Sequence, residues 1–155
     1  MNNRKGFTLA EMVAVIAILM VLALVSTPFV KGYIDDAYYG KAQLFLRQFN
    51  EARLNFEKDY PGLTIRGNLI KIENDNTVCH IDSLYGTNQE VSPVELVRCH
   101  YIKFPTDLEQ RYSFSIQTDE GKPIASMEGI DTSSKHYQKH VTINSLGEVN
   151  NDEEE

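Results

Sequence analysis

The sequence predicts an α+β protein, a long N-terminal α-helix with a transmembrane first half packed against an antiparallel β-sheet head. Three observations carry that expectation. From Met12 to Val25 every residue is apolar, fourteen in a row. From Ile34 to Phe56 apolar residues recur at helical period, and after Pro61 the period changes to two.

The first element is the apolar run. Phe7–Val30 is 24 residues with a single charge, Glu11. As a helix it spans about 36 Å, enough to cross a hydrocarbon core of roughly 30 Å. Arg4 and Lys5 precede it, and Asp35 and Asp36 follow it. The positive-inside bias keeps residues 1–6 cytoplasmic and sends the remainder out. A secretory signal peptide shares the basic start, but no A-x-A-like site follows the run. An uncleaved signal anchor shares the whole pattern yet leaves Glu11 without a role. An ionisable group in an apolar segment is costly and calls for a partner.

Arg4-Lys5-Gly6-Phe7-Thr8-Leu9-Ala10-Glu11-Met12 resembles the processing site of type IV prepilins and type II secretion pseudopilins. The resemblance covers about 30 residues. It implies that a membrane aspartyl peptidase, the prepilin peptidase, cuts after Gly6 and then methylates the new amine on Phe7. It further implies that Glu11 pairs with that amine in a neighbouring subunit, which sets the axial offset between copies. Physical chemistry agrees: the exposed α-amine, with an ordinary pKa near 7.7–8.0, lies about one helical turn from a carboxylate.

Pro28 comes next. It removes the hydrogen bond to the Leu24 carbonyl and bends a helix. A simple kink at the membrane edge and a point where the helix loosens during assembly both fit. Beyond it, Ile34, Tyr38, Ala42, Phe45, Phe49, Ala52 and Phe56 form an apolar stripe. Arg47 with Glu51 and Arg53 with Glu57 are i,i+4 pairs expected on the wet side. A cofactor or electron path along the aromatic stripe is the rival to plain packing against a sheet, and packing is the expectation. Pro61-Gly62 stops the helix.

In the head, Leu69–Ile72, Val78–Ile81, Val94–Phe104, Tyr112–Thr118, Ile124–Met127 and Val141–Val149 read as strands. Val94–Phe104, apolar on both faces, is expected at the centre of the sheet. Asp119–Lys122 and Ser145–Glu148 read as turns. The expected organisation is a leader at 1–6, a transmembrane and assembly helix at 7–30 and its amphipathic continuation at 31–60. A β-rich head at 61–150 and an acidic tail at 151–155 complete it.

Candidate chemistry is sparse. Cys79 and Cys99 are the only cysteines, and outside the cytoplasm an even pair suggests a disulfide. Two buried thiols are the alternative. Each cysteine precedes a histidine, so Cys79-His80 with Cys99-His100 could form a Cys2His2 metal site, but strand neighbours point to opposite faces. His136 and His140 have helical ligand spacing in a segment that reads as loop then strand. Asp119, Glu120 and Asp131 supply acids without an EF-hand pattern. No nucleophile motif or phosphate loop is present, so neither metal nor cofactor is expected, and the chain is expected not to be an enzyme. The net charge of −7 argues against a nucleic-acid partner.

The resemblance implies a structural subunit of an extracellular type IV pilus, assembled by helix packing into a helical homo-oligomer. Its partners would be the prepilin peptidase and an inner-membrane assembly platform. The subunit would lie in the membrane before assembly and on the cell surface after it. A pseudopilin of a type II secretion or competence system is the near alternative. A membrane-anchored binding domain that never polymerises is the alternative of a different class.

Overall fold

The computed structural model of the chain describes residues 7–71, 78, 79, 81, 89–119, 121–144 and 146–152. Its elements in order are α1 (Leu9–Asp59), β1 (Leu63–Ile65), β2 (Gly67–Asn68), β3 (Gln89–Val91), α2 (Val94–Arg98), β4 (Tyr112–Asp119), β5 (Lys122–Gly129), β6 (His140–Ile143) and β7 (Val149–Asp152). The chain divides into two compact units, Met1–Asp36 and Ala37–Glu155.

Within the first unit the described residues begin at Phe7, and those from Leu9 on are helical. The helix is long and apolar enough to cross a membrane, and none of its most apolar stretch is buried. Pro28 lies inside α1 without breaking it. Immediately before it, the hydroxyls of Ser26 and Thr27 both donate to the Ala23 carbonyl, at 3.2 and 2.8 Å. Such back-bonding competes with the backbone ladder.

The second unit is built on the amphipathic part of α1. Ala42, Phe45, Leu46, Phe49, Ala52 and Phe56 are buried and belong to one core with the inward residues of the sheet. The sheet order is β2-β4-β5-β6-β7, with every pairing antiparallel. Register lines up Phe114 with Met127 and Val141, and Ile116 with Ala125 and Ile143. All six are buried. Two apolar rows therefore run across the strands, as the period of two requires when one face meets a helix. Phe45 meets Phe114 edge-on, with ring centroids 4.7 Å apart. A separate parallel pair joins β1 to β3.

Three expectations need correction. Val94–Phe104 is not a central strand: it opens with the short helix α2. Pro93 sits at its N-cap, Glu95 in its first turn and Arg98 in its last, and Glu95 pairs with Arg98 at i,i+3. These are helix signals. The helix closes with Tyr101 N–H donating to Leu96 O and His100 N–H to Val97 O, while His100 adopts φ 62°. That is a left-handed C-terminal cap occupied by a non-glycine residue.

The second correction concerns strand limits. Leu69, Ile70, Lys71, Val78 and Cys79 lie outside strands, and Ile72 and His80 fall outside the described residues. Leu69 N–H still bonds Phe114 O at 2.8 Å, but Ile70 points to solvent and Lys71 bonds Glu109. Val141–Val149 folds as the hairpin of β6 and β7, with its turn between Ile143 and Val149 where one was expected.

The third concerns Arg53, whose side chain is only 1% exposed and so not on the wet side. It donates to Glu57 Oε2 at 2.7 Å and to Asn50 Oδ1 at 3.0 Å. Glu57 accepts the Ile65 amide, and Asn50 donates to the Asn144 carbonyl. A buried guanidinium survives because its donors are met on both sides. Burial pulls its pKa down, and Glu57 opposes the shift.

Cys79 and Cys99 are joined by a disulfide across 20 residues, with Cα atoms 4.8 Å apart. Closing such a loop stabilises a fold by about 3 kcal/mol. Reduction without unfolding should therefore lower the denaturant stability of the head by about that amount. An unchanged midpoint after complete thiol labelling would contradict this.

Gly129 gives a sharper test. A Cβ there would meet the His136 carbonyl oxygen at 1.9 Å, because the chain folds back so that Gln138 N–H can bond Gly129 O at 2.8 Å. Gly129→Ala is expected to cost about 3 kcal/mol or more. Gly40→Ala, with nothing within 4 Å, should stabilise the detergent-solubilised chain by up to ~1 kcal/mol. Equal melting temperatures for the two variants would refute the reading.

Candidate functional site

The residues that carry chemistry in the first unit sit at the start of α1. Thr8 is followed by Leu9, Ala10 and then Glu11, the acid in the first helical turn. Glu11 Oε2 accepts the Thr8 amide at 2.8 Å and the Thr8 hydroxyl at 3.0 Å. In return, Glu11 N–H donates to Thr8 Oγ1 at 3.3 Å. This is a reciprocal capping box, and it satisfies donors that the first turn cannot satisfy itself. The pattern Thr-x-x-Glu before an apolar run announces it in the sequence. Thr8 is thus a partner of Glu11 additional to the amine expected from the resemblance.

The box fixes what Glu11 can do. Both bonds from Thr8 fall on one carboxylate oxygen. A carboxylate has about four acceptor positions, so Oε1 can take a further donor without dismantling the cap. Phe7, immediately before Thr8, is exposed, as are Leu9 and Met12. Gly6 and the rest of residues 1–6 lie outside the described residues.

Elsewhere the polar groups are engaged in holding the head. The disulfide removes the two thiolates that a Cys2His2 metal site would need. His136 stacks on Tyr39, with centroids 4.2 Å apart, while His140 opens β6, so the two histidines do not share a helix. Asp119 ends β4, and Asp131 caps its own loop through the Ser133 amide and hydroxyl. Among the described residues no cluster of three or more His, Cys, Asp or Glu could hold a metal ion.

Shallow grooves are present among the described residues of the head. One, of about 450 Å³, is lined by Tyr38, Thr106, Asp107, Gln110, Arg111 and Asp131. Its charges are matched internally. Arg111 lies 4.3 Å over the Tyr38 ring and 3.4 Å from Asp131, and Lys41 pairs with Asp107, whose carboxyl it holds below the usual range. Another, of about 350 Å³, lies between the α1 residues Gln48 to Asn55 and the Tyr101–Lys103 segment. There Tyr101 donates to Asp59 at 2.6 Å, and burial with that bond pushes its phenol above its ordinary value. Neither groove gathers a nucleophile, a base and an oxyanion donor.

Residues 1–27 match the family model described as the prokaryotic N-terminal methylation motif. That motif is the hallmark of type IV pilins and pseudopilins, and it implies processing by a prepilin peptidase and assembly into a filament of that general class. The motif and the apolar helix together fit a membrane-anchored pilin. No curated protein and no solved structure matches the chain.

The capping box predicts the behaviour of Thr8. Thr8→Val keeps the shape and removes the hydroxyl, which should cost the first turn about 1 kcal/mol. Amide exchange at Leu9–Met12 in detergent is then expected to accelerate about fivefold, with exchange beyond Phe45 unchanged. Unaltered exchange in the first turn would show that the box does not hold the helix start.

Proposed function

We propose that this chain is a structural subunit of an extracellular type IV pilus, held in the membrane by α1 before assembly and by other copies of α1 afterwards. The observation that carries the reading is the coincidence at one place of the methylation motif, the carboxylate of Glu11 in the first turn, and an apolar helical stretch that the chain's own fold does not bury. In this reading the chain is a building part and not an enzyme.

Residues 1–6 are the leader, and the prepilin peptidase removes them by cutting between Gly6 and Phe7. Glycine is suited to that position because the peptidase must approach the backbone closely. The amine of Phe7, methylated by the same enzyme, remains a cation near neutral pH. Thr8 stays with the mature chain, so its cap on Glu11 survives cleavage. Glu11 then offers its second oxygen to the Phe7 amine of a neighbouring copy. One carboxylate thus closes its own helix and receives the next subunit.

Glu11 discriminates the filament from its alternatives in class. A plain anchor gains from losing an ionisable group in an apolar segment. A filament loses the partner of a buried cation at every contact, typically about 3–5 kcal/mol. Pro28 acts in this reading as the place where the helix bends or loosens as the subunit leaves the lipid. The inner-membrane assembly platform is the partner that lifts it. The same motif also serves pseudopilins, which form short filaments between membrane and wall. Location distinguishes the two: a pilus is sheared from the cell surface, whereas a pseudopilus stays within the envelope.

The expected outcome has two parts. Intact mass of native filaments should correspond to a chain starting at Phe7 with one added methyl. Glu11→Ala, expressed without wild-type subunits, should be cleaved normally and reach normal membrane levels, yet give almost no filaments. Glu11→Asp should fall between. A mature chain that retains residues 1–6, or wild-type filament yield from Glu11→Ala, would exclude this account.

A further inference from the structure

The turn between β6 and β7 presents an exposed leucine on a hydrogen-bonded backbone. Leu146 is 82% exposed. The amides of Leu146 and Glu148 both donate to Asn144 Oδ1 at 3.0 Å, and Gly147 N–H donates to Asn144 O at 3.0 Å. Asn144 in turn donates its backbone amide to Glu148 O at 3.2 Å and its side-chain amide to Glu148 Oε2 at 2.8 Å. Gly147 supplies the φ of 83° that closes the turn, a value costly for any residue with a Cβ. From beneath, Asn50 of α1 bonds the Asn144 carbonyl at 3.3 Å. A loose loop could fold its leucine inward; this one holds it out.

On the same unit, the 350 Å³ groove supplies a receiving surface. Ala52 and Ile102 supply its apolar lining, Gln48 and Asn55 polar lining, and Lys103 an exposed cation. The volume exceeds that of a leucine side chain. Glu148, exposed beside Leu146, is the charge that Lys103 would meet. Glu51 also lines the groove, so the seating must bring Glu148 to the Lys103 side.

We propose that Leu146 is an intersubunit knob that seats in the groove between α1 and Tyr101–Lys103 of a second copy, with Glu148 facing Lys103. The geometry decides between a closed pair and a chain. At 100° per residue, Asn50, which anchors the turn, and Gln48 and Asn55, which wall the groove, lie about 140–160° apart around α1. The knob and the groove therefore occupy opposite flanks of the core-facing side. A copy that gives its knob to one neighbour keeps its groove open for another on the far side. Such a head-to-tail contact does not close as a two-fold pair, and it extends into a filament wherever the rotation between copies does not close a ring. This contact deepens the filament reading and rests on it.

The test uses the full-length chain expressed as the only subunit, with filaments sheared and quantified. Leu146→Asp leaves the fold unchanged, so membrane levels and the thermal midpoint in detergent should match wild type. Filament yield is expected to fall about tenfold or more. Glu148→Gln, which keeps an acceptor for the Asn144 side chain, and Lys103→Gln should each lower yield, and the double variant should lose no more than either single, which independent structural roles would not produce. Wild-type yield from Leu146→Asp, or losses that simply add in the double variant, would overturn this contact while leaving the filament reading intact. Absence of filaments from the wild-type chain overturns both.

Discussion

A helix that is apolar on every side imposes the first requirement on this molecule. Phe7–Val30 carries one charge in 24 residues, and its large apolar side chains are exposed along the helix. In water such a surface is untenable, at roughly 25 cal/mol for each Å² of apolar area. Lipid or other apolar helices can cover it. Because both environments are apolar, moving from one to the other changes the hydrophobic energy little. In the filament reading proposed above, what decides between lipid and neighbouring copies is the polar group embedded in the surface. That group is Glu11, and the structure shows that it begins already half-satisfied by Thr8. Its cost in the membrane is thereby reduced, and its remaining acceptor capacity favours a partner that lipid cannot supply.

The head meets a different requirement. Its core is one face of α1 laid on one face of a five-stranded sheet, and polar ties hold the margins. Arg53 links Glu57 and Asn50, which reach β1 and the β6–β7 turn respectively. At the other end of the packed segment, cations lie over Tyr38 and Tyr39. The disulfide fixes Cys79 to the end of α2. A fold secured at its margins can present a rigid surface, as the Leu146 turn does.

Much of this was legible in the sequence, and the misses have physical causes. The stripe from Ala42 to Phe56 declared the core face of α1, because no other arrangement buries residues at steps of three and four. Tyr112, Phe114 and Ile116 declared an inward strand face in the same way. Arg53 was misread because an i,i+4 acid four residues on looks like a solvated pair, and sequence alone does not show that the apolar face is wide enough to include it. Val94–Phe104 was misread because a short run apolar on both faces suits a buried strand and a buried helical turn alike. Pro93, Glu95 and Arg98 held the answer. The knob at Leu146 was beyond reach: a leucine in a turn acquires meaning only when the hydrogen bonds of Asn144 show that it cannot turn inward. The Thr8 cap was fully legible, and it was passed over because Glu11 already had a role.

Glu11 is proposed to serve two partners at once, its own Thr8 and the amine of a neighbouring copy. A cryo-microscopy reconstruction of sheared filaments, at a resolution that shows carboxylate oxygens, measures this directly. The account predicts the Phe7 nitrogen of one subunit within about 3.2 Å of Glu11 in the next, with the Thr8 bonds retained. A filament in which the Phe7 amine lies away from every Glu11, with each Glu11 bonded only within its own chain, would contradict it.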